Sequence, residues 1–96
     1  MFVRQGSFEV IPEKLDELRQ IYYRECAPIV RASPGNIDVY LLEPTEGDGP
    51  IVACTIWETE QEAVAYEASG TAKEVVAKVK GLFAGPPTLR SYRVRR

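Results

Sequence analysis

The segment Ile51–Trp57, IVACTIW, is apolar on both faces, and this constrains the fold more than any other stretch of the chain. With the two-residue period of a strand, Ile51, Ala53 and Trp57 point one way and Val52, Cys54 and Ile56 the other. A sheet with one wet face would alternate apolar and polar residues instead. Both faces therefore need cover, yet only 96 residues are present to supply it. That length makes one domain over residues 1–96 with a single two-layer core. The shortage of covering elements points to a second copy of the chain.

The flanking sequence sets the element order. Met1 to Val10 reads as a strand, with Phe2, Phe8 and Val10 on one parity and Val3, Gln5, Ser7 and Glu9 on the other. Pro12 opens a helix whose first turn carries Glu13, Asp16 and Glu17 at the positive end of the dipole. Leu15, Leu18, Tyr22, Cys26 and Ile29 form its apolar stripe, and Pro28 predicts a kink or an early end. A turn at Ser33-Pro34-Gly35-Asn36 leads into a second strand, Ile37 to Glu43, with Tyr40 and Leu42 opposite Val39 and Leu41. The polar loop Glu43 to Pro50 returns the chain to the apolar strand. Thr59-Glu60-Gln61-Glu62 is a capping box that starts a helix ending at Ser69-Gly70. A further helix from about Thr71 to Phe83 buries Val75, Val76, Val79, Leu82 and Phe83. Gly85-Pro86-Pro87 stops it before a last strand, Leu89 to Val94. The order β-α-β-β-α-β is the ferredoxin-like α+β arrangement, a four-stranded antiparallel sheet with helices on one face. The other face carries Trp57 or Ile56, Tyr40, Leu42 and Tyr92. Two such sheets packed face to face give a homodimeric barrel.

Several classes of function are excluded by what the chain lacks. It contains no histidine, which removes Ser-His-Asp and Cys-His catalysis, histidine-ligated zinc and a proximal haem histidine together. Cys26 and Cys54 are not in a CxxC pair and read as buried, inert thiols, so no metal site is expected. A net charge of −2 offers nucleic acid no electrostatic footprint. The basic end at Arg93, Arg95 and Arg96 reads as a solvated strand terminus. No apolar run reaches membrane-spanning length and no secretory signal is visible, so a cytoplasmic protein is expected.

The Pro-Gly turn at 33–36, the strand with Tyr40, the hairpin, and Ile56-Trp57-Glu58-Thr59-Glu60-Gln61-Glu62-Ala63 running into a helix that ends at Ser69 resemble the antibiotic biosynthesis monooxygenase superfamily. The likeness covers nearly the whole chain. It implies a dimeric α+β barrel; its members include quinol oxygenases, haem-degrading enzymes and isomerases. The haem-degrading branch uses an asparagine, a tryptophan and a histidine at positions that correspond here to Gly6, Tyr66 and Val76. None of these keeps the required chemistry. The histidine that oxygenase and isomerase branches place near the second helix is also missing from Tyr66-Glu67-Ala68-Ser69-Gly70-Thr71.

What the resemblance then implies is a cofactor-free oxygenase acting on a polycyclic phenol or quinol. Such a protein must bind the ring and stabilise the anion. Trp57, Tyr40, Tyr66 and Tyr92 are the candidates to wall the pocket, with Asn36 and Asp38 bonding substrate. Arg4 or Arg90 would offset an oxyanion, beside Tyr66, as the catalytic set. Each residue also has a purely structural assignment: Trp57 and Tyr66 in the core, Tyr40 and Tyr92 at the dimer interface, the arginines in ion pairs with Glu9, Asp38 or Glu58, and Asn36 in its turn. A non-catalytic ligand-binding or structural homodimer competes with the oxygenase, and an isomerase or lyase of small carbonyl compounds fits the same pocket.

Overall fold

In the computed structural model, which describes residues 1–96, β3 (Ile51–Trp57) is an inner strand, as its sequence requires. It pairs with β1 (Phe2–Phe8) on one side and with β2 (Asn36–Leu42) on the other, while β4 (Thr88–Arg93) adds to the far side of β1. All pairs are antiparallel and the sheet order is β2-β3-β1-β4. The architecture is the expected ferredoxin-like α+β sheet.

All the helices lie on one face. Phe2 pairs with Trp57 and Phe8 with Ile51, and these four buried side chains, with Val39 of β2, form the sheet's contribution to the core. Leu18, Tyr22, Val30, Val75 and Val79 pack down onto them. Trp57 is therefore on the helix side and Ile56 on the other, which resolves the alternative left open above. The opposite face presents Tyr40, Leu42 and Tyr92, each more than 40% exposed. Beneath them Cys54 is buried between its paired neighbours Gln5 and Tyr40.

Pro28 does not end the first helical region. The chain runs through α1 (Leu15–Ile21), a widened π turn at Tyr22–Cys26, and α2 (Ala27–Arg31). The Ala27 N–H reaches back to the Tyr22 carbonyl, five residues earlier, so the helix has already loosened where the proline removes a donor. The extra residue in that turn shifts the apolar stripe by one position. Ala27 and Val30 are buried after Cys26, and Ile29 is left only half-buried.

The next helices follow the capping signals. In α3 (Glu60–Ala68) the Thr59 hydroxyl accepts from the Glu62 N–H. The Glu62 carboxylate accepts from that same hydroxyl rather than from the Thr59 N–H. Gly70, at φ +86°, ends the helix and starts α4 (Thr71–Val79), which is extended by one tighter turn at Lys80–Leu82. Val76, expected inside, is 42% exposed.

β2, an edge strand, is shielded by side chains from the first helical region. The Leu41 N–H donates to the Tyr23 hydroxyl at 2.8 Å, and Arg31 donates to the Val39 carbonyl at 3.3 Å. The turn feeding β2 has Gly35 at φ +82° with the Asn36 N–H bonded to the Ser33 carbonyl, the geometry in which the third position favours glycine. A Cβ on Gly35 would strike the Glu62 carboxylate. Gly35→Ala is expected to lower stability by about 1–2 kcal/mol from the left-handed backbone alone, read as a fall in the urea midpoint at unchanged slope.

Candidate functional site

Small residues make the site. Gly6 and Ala53 are paired on the helix-facing side of the sheet, and Ala63 and Ala72 face them from α3 and α4. Where four such residues meet, the two layers cannot close, and a cavity of about 150 Å³ remains. Leu89 leans across its outer side: a Cβ on Gly6 would meet the Leu89 Cδ2 at 3.2 Å. The cavity opens along β4, where Leu89 is 65% exposed.

Two aromatic rings set its inner end. Trp57 is 1% exposed, and its indole N–H donates to the Thr55 hydroxyl at 2.9 Å. That hydroxyl in turn donates to the Arg4 carbonyl at 3.5 Å. The Tyr66 ring lies 5.1 Å from the Trp57 ring, tilted by 38°. Tyr66 reaches the sheet because it follows the buried Ala63 by three residues, and Glu67 follows by four, on the same helical stripe. Burial pushes the Tyr66 phenol up to about 12, with a smaller contribution from Cys26 nearby. The more deeply buried Tyr22, also on the wall, is raised for the same reason.

The wall carries one charged pair. Arg4, from β1, is ion-paired with the Glu67 carboxylate of α3. Its Nε donates to the Ser91 hydroxyl at 3.2 Å, and its guanidinium carbon lies 5.6 Å from the Phe2 ring centre.

Of the eight candidate residues, then, the structure brings three together: Arg4, Trp57 and Tyr66. The other five do not line this cavity, which corrects the picture of a single pocket walled by all four aromatics. Tyr40, Arg90 and Tyr92 belong to the opposite face, since they pair with Cys54, Gln5 and Val3 and share their side of the sheet. Asp38 accepts from the Tyr40 hydroxyl at 2.8 Å, from the Val39 N–H at 2.8 Å and from Arg31 at 3.2 Å. The Val39 bond foremost, then the Tyr40 and Arg31 contacts, hold its carboxyl below the usual range. Asn36 spans a register shift, its amide donating to the Asp38 and Ile56 carbonyls at 3.2 Å each while its own carbonyl oxygen stays buried without a partner. Neither arginine has an expected partner: Arg4 binds Glu67, and Asp38 is taken by Arg31.

Gly6 and Val76, matched above only through the family likeness, do line the cavity with Tyr66. Glu67 and Tyr22 were missed. The signal for Glu67 was its four-residue spacing from Ala63, which a reading centred on aromatics passes over. The chain has no cluster of three His, Cys, Asp or Glu side chains that could hold a metal ion, and no helix long and apolar enough to cross a membrane.

The sequence and fold can be set beside known proteins. The family model for antibiotic biosynthesis monooxygenase matches residues 1–78. No curated protein matches the sequence significantly. A solved structure from Bordetella bronchiseptica, of the antibiotic biosynthesis monooxygenase type, superposes with a TM-score of 0.83 at 20% identity, covering 99% of this chain and 97% of its own. One of the same type from Nitrosomonas europaea gives 0.78 at 18% identity, covering 98% of each. At such identities the likeness shows the fold. The haem degrader MhuD of Mycobacterium tuberculosis, solved with two haems in its active site, gives 0.80 at 26% identity over 98% of this chain and 95% of its own.

The Tyr66 shift has a consequence for stability. The folded state holds this proton to about 12 whereas an unperturbed phenol releases it near 10. Between those values the folded chain binds more protons than the unfolded one, so stability present below pH 10 is lost as pH rises towards 12. Tyr66→Phe is expected to lose less stability than the parent across that window, measured as urea midpoints at stepped pH.

Proposed function

The chain belongs to the antibiotic biosynthesis monooxygenase family, and from that premise we propose that it oxidises a small phenol or hydroquinone with molecular oxygen in the cavity beside Trp57. The observation that carries this reading is the cavity itself, an apolar slot with an aromatic end wall and one cation, Arg4, on its side. Drug-sized ligands occupy roughly 300–1,000 Å³. A space of about 150 Å³ suits one or two rings better than the polycycle expected from the sequence.

Within this proposal the ring stacks against Trp57 and Tyr66. Arg4 opposes the negative charge that grows on the phenol oxygen as its proton leaves, the electrostatic contribution that dominates many active sites. Tyr66 keeps its proton at neutral pH and serves as a hydrogen-bond donor to the developing oxyanion. An ionised, electron-rich ring passes an electron to oxygen, and the two radicals recombine. The net change is phenol plus O2 to quinone plus water. One oxygen atom enters the ring, the other leaves as water, and the substrate supplies all four electrons. Arg90 has no part in this site.

A histidine-ligated haem, as a group to be held here, does not fit the residues present. The chain has no histidine, Val76 offers no ligand atom, and burial keeps the Tyr66 phenol protonated and so a poor iron ligand.

The exposed Tyr40, Leu42 and Tyr92 support a second part of the proposal, a homodimer formed by two sheets face to face. Sedimentation at micromolar concentration is expected to give a dimer, and Tyr40→Glu to shift it towards monomer. A parent protein that sediments as a monomer would refute this part. For the reaction, oxygen uptake above the autoxidation rate is expected with one- and two-ring hydroquinones, with one atom of labelled O2 in the product. Trp57→Ala is expected to lower uptake about 10-fold or more through lost ring positioning. No uptake across the panel transfers the cavity to a binding role without catalysis.

A further inference from the structure

Arg4 and Glu67 face each other at the only charged point of an otherwise apolar wall, and we infer that they form a displaceable gate selecting an aromatic ligand with an acidic group. The acid takes Glu67's place on Arg4. The inference rests on the cavity being the ligand site, and it adds the ligand's charge and the carboxylate it must compete with.

The two partners are held very differently. Arg4 stands on β1, an inner strand bonded on both sides, and its side chain is only 19% exposed. Ser91 fixes its Nε, and the Phe2 ring lies under the guanidinium. This cation is pre-positioned and cannot retreat into water. Glu67 is 41% exposed and is the last residue but one of α3. The helix dipole disfavours a negative charge at that end. Its carboxylate can rotate out and be solvated without leaving a buried charge behind.

The balance favours exchange. An ion pair with an exposed partner contributes little. A carboxylate fixed to a ring inside the slot meets the same guanidinium in less water, where a planar two-point contact is stronger. No other charged group lines the wall to compete. The Thr55 hydroxyl is already used by the Trp57 indole and the Arg4 carbonyl. When the site is empty, Glu67 neutralises Arg4; when filled, the ligand's own charge does so.

A neighbouring pair supplies a control. Arg93 of β4 bonds Glu60 of α3 at 2.9 Å, but both side chains are more than half exposed and neither lines the cavity.

The test compares 2-naphthoate with its neutral counterpart 2-naphthylmethanol, by calorimetry and by the indole N–H signal of Trp57, the only tryptophan. The parent protein should bind the acid about 10-fold tighter than the alcohol, as expected for one charge-assisted contact. Arg4→Gln should abolish that preference. Glu67→Gln, which removes only the competitor, should tighten the acid severalfold and leave the alcohol unchanged, and Arg93→Gln should alter neither. Equal binding of acid and alcohol by the parent, or weaker binding of the acid by Glu67→Gln, overturns the inference while leaving the cavity as the ligand site. A Trp57 signal unmoved by either probe overturns both.

Discussion

The hydrogen bond from the Trp57 indole to the Thr55 hydroxyl is small, but much of the molecule is arranged around it. A tryptophan can be buried this deeply only if its N–H finds an acceptor. Thr55, two residues earlier on the same strand face, provides one and passes a further bond to the Arg4 carbonyl. The largest side chain of the core is thereby tied to the backbone of the neighbouring strand. With the indole fixed, Phe2 and Ala63 pack around it, and the Tyr66 ring meets it at a 38° tilt at the inner end of the cavity. The same face then falls away to Gly6 and Ala53, so the cavity adjoins the deeply buried Trp57.

The architecture follows from that layering. One face of the sheet is closed by helices and the other is apolar and open. A chain this short has no third layer to offer. Its central strand is nevertheless written for burial on both sides, with Val52, Cys54 and Ile56 opposite Ile51 and Trp57. Foldable sequences tend to agree with themselves at every level. Here the disagreement between strand and single chain is what motivates a second sheet.

The fold was legible because its signals are local. Strand parity, the Thr59 cap on the Glu62 N–H, and the glycines at 35 and 70 each act within a few residues, and all appear where expected. The site was legible only in part. Arg4, Trp57 and Tyr66 could be picked out by type, yet which of the aromatic residues share a face depends on strand register, and parity alone left Trp57 and Ile56 undecided. Pro28 marked a disruption of the helix without showing its form, for a related reason. A proline's effect depends on whether the turn before it is already widened, and the π turn at Tyr22–Cys26 has no simple sequence signature. Glu67 was hidden because a charged residue late in a helix reads as solvated surface until a cation from another strand is found opposite it.

The two edges of the sheet are treated unequally. Tyr23 and Arg31 stopper the free backbone of β2, whereas β4 is bonded to β1 alone and all six of its residues are exposed. In terms of local unfolding, β4 is the strand that opens at least expense, since it shares few buried contacts with the rest. It is also the strand that carries Leu89 and Ser91, the outer wall of the cavity and the clasp on Arg4. The mouth of the slot is thus framed by the strand least tied to the rest of the sheet. A second sheet laid against the open face would brace that strand, and with it the outer wall of the slot and the residue that fixes Arg4.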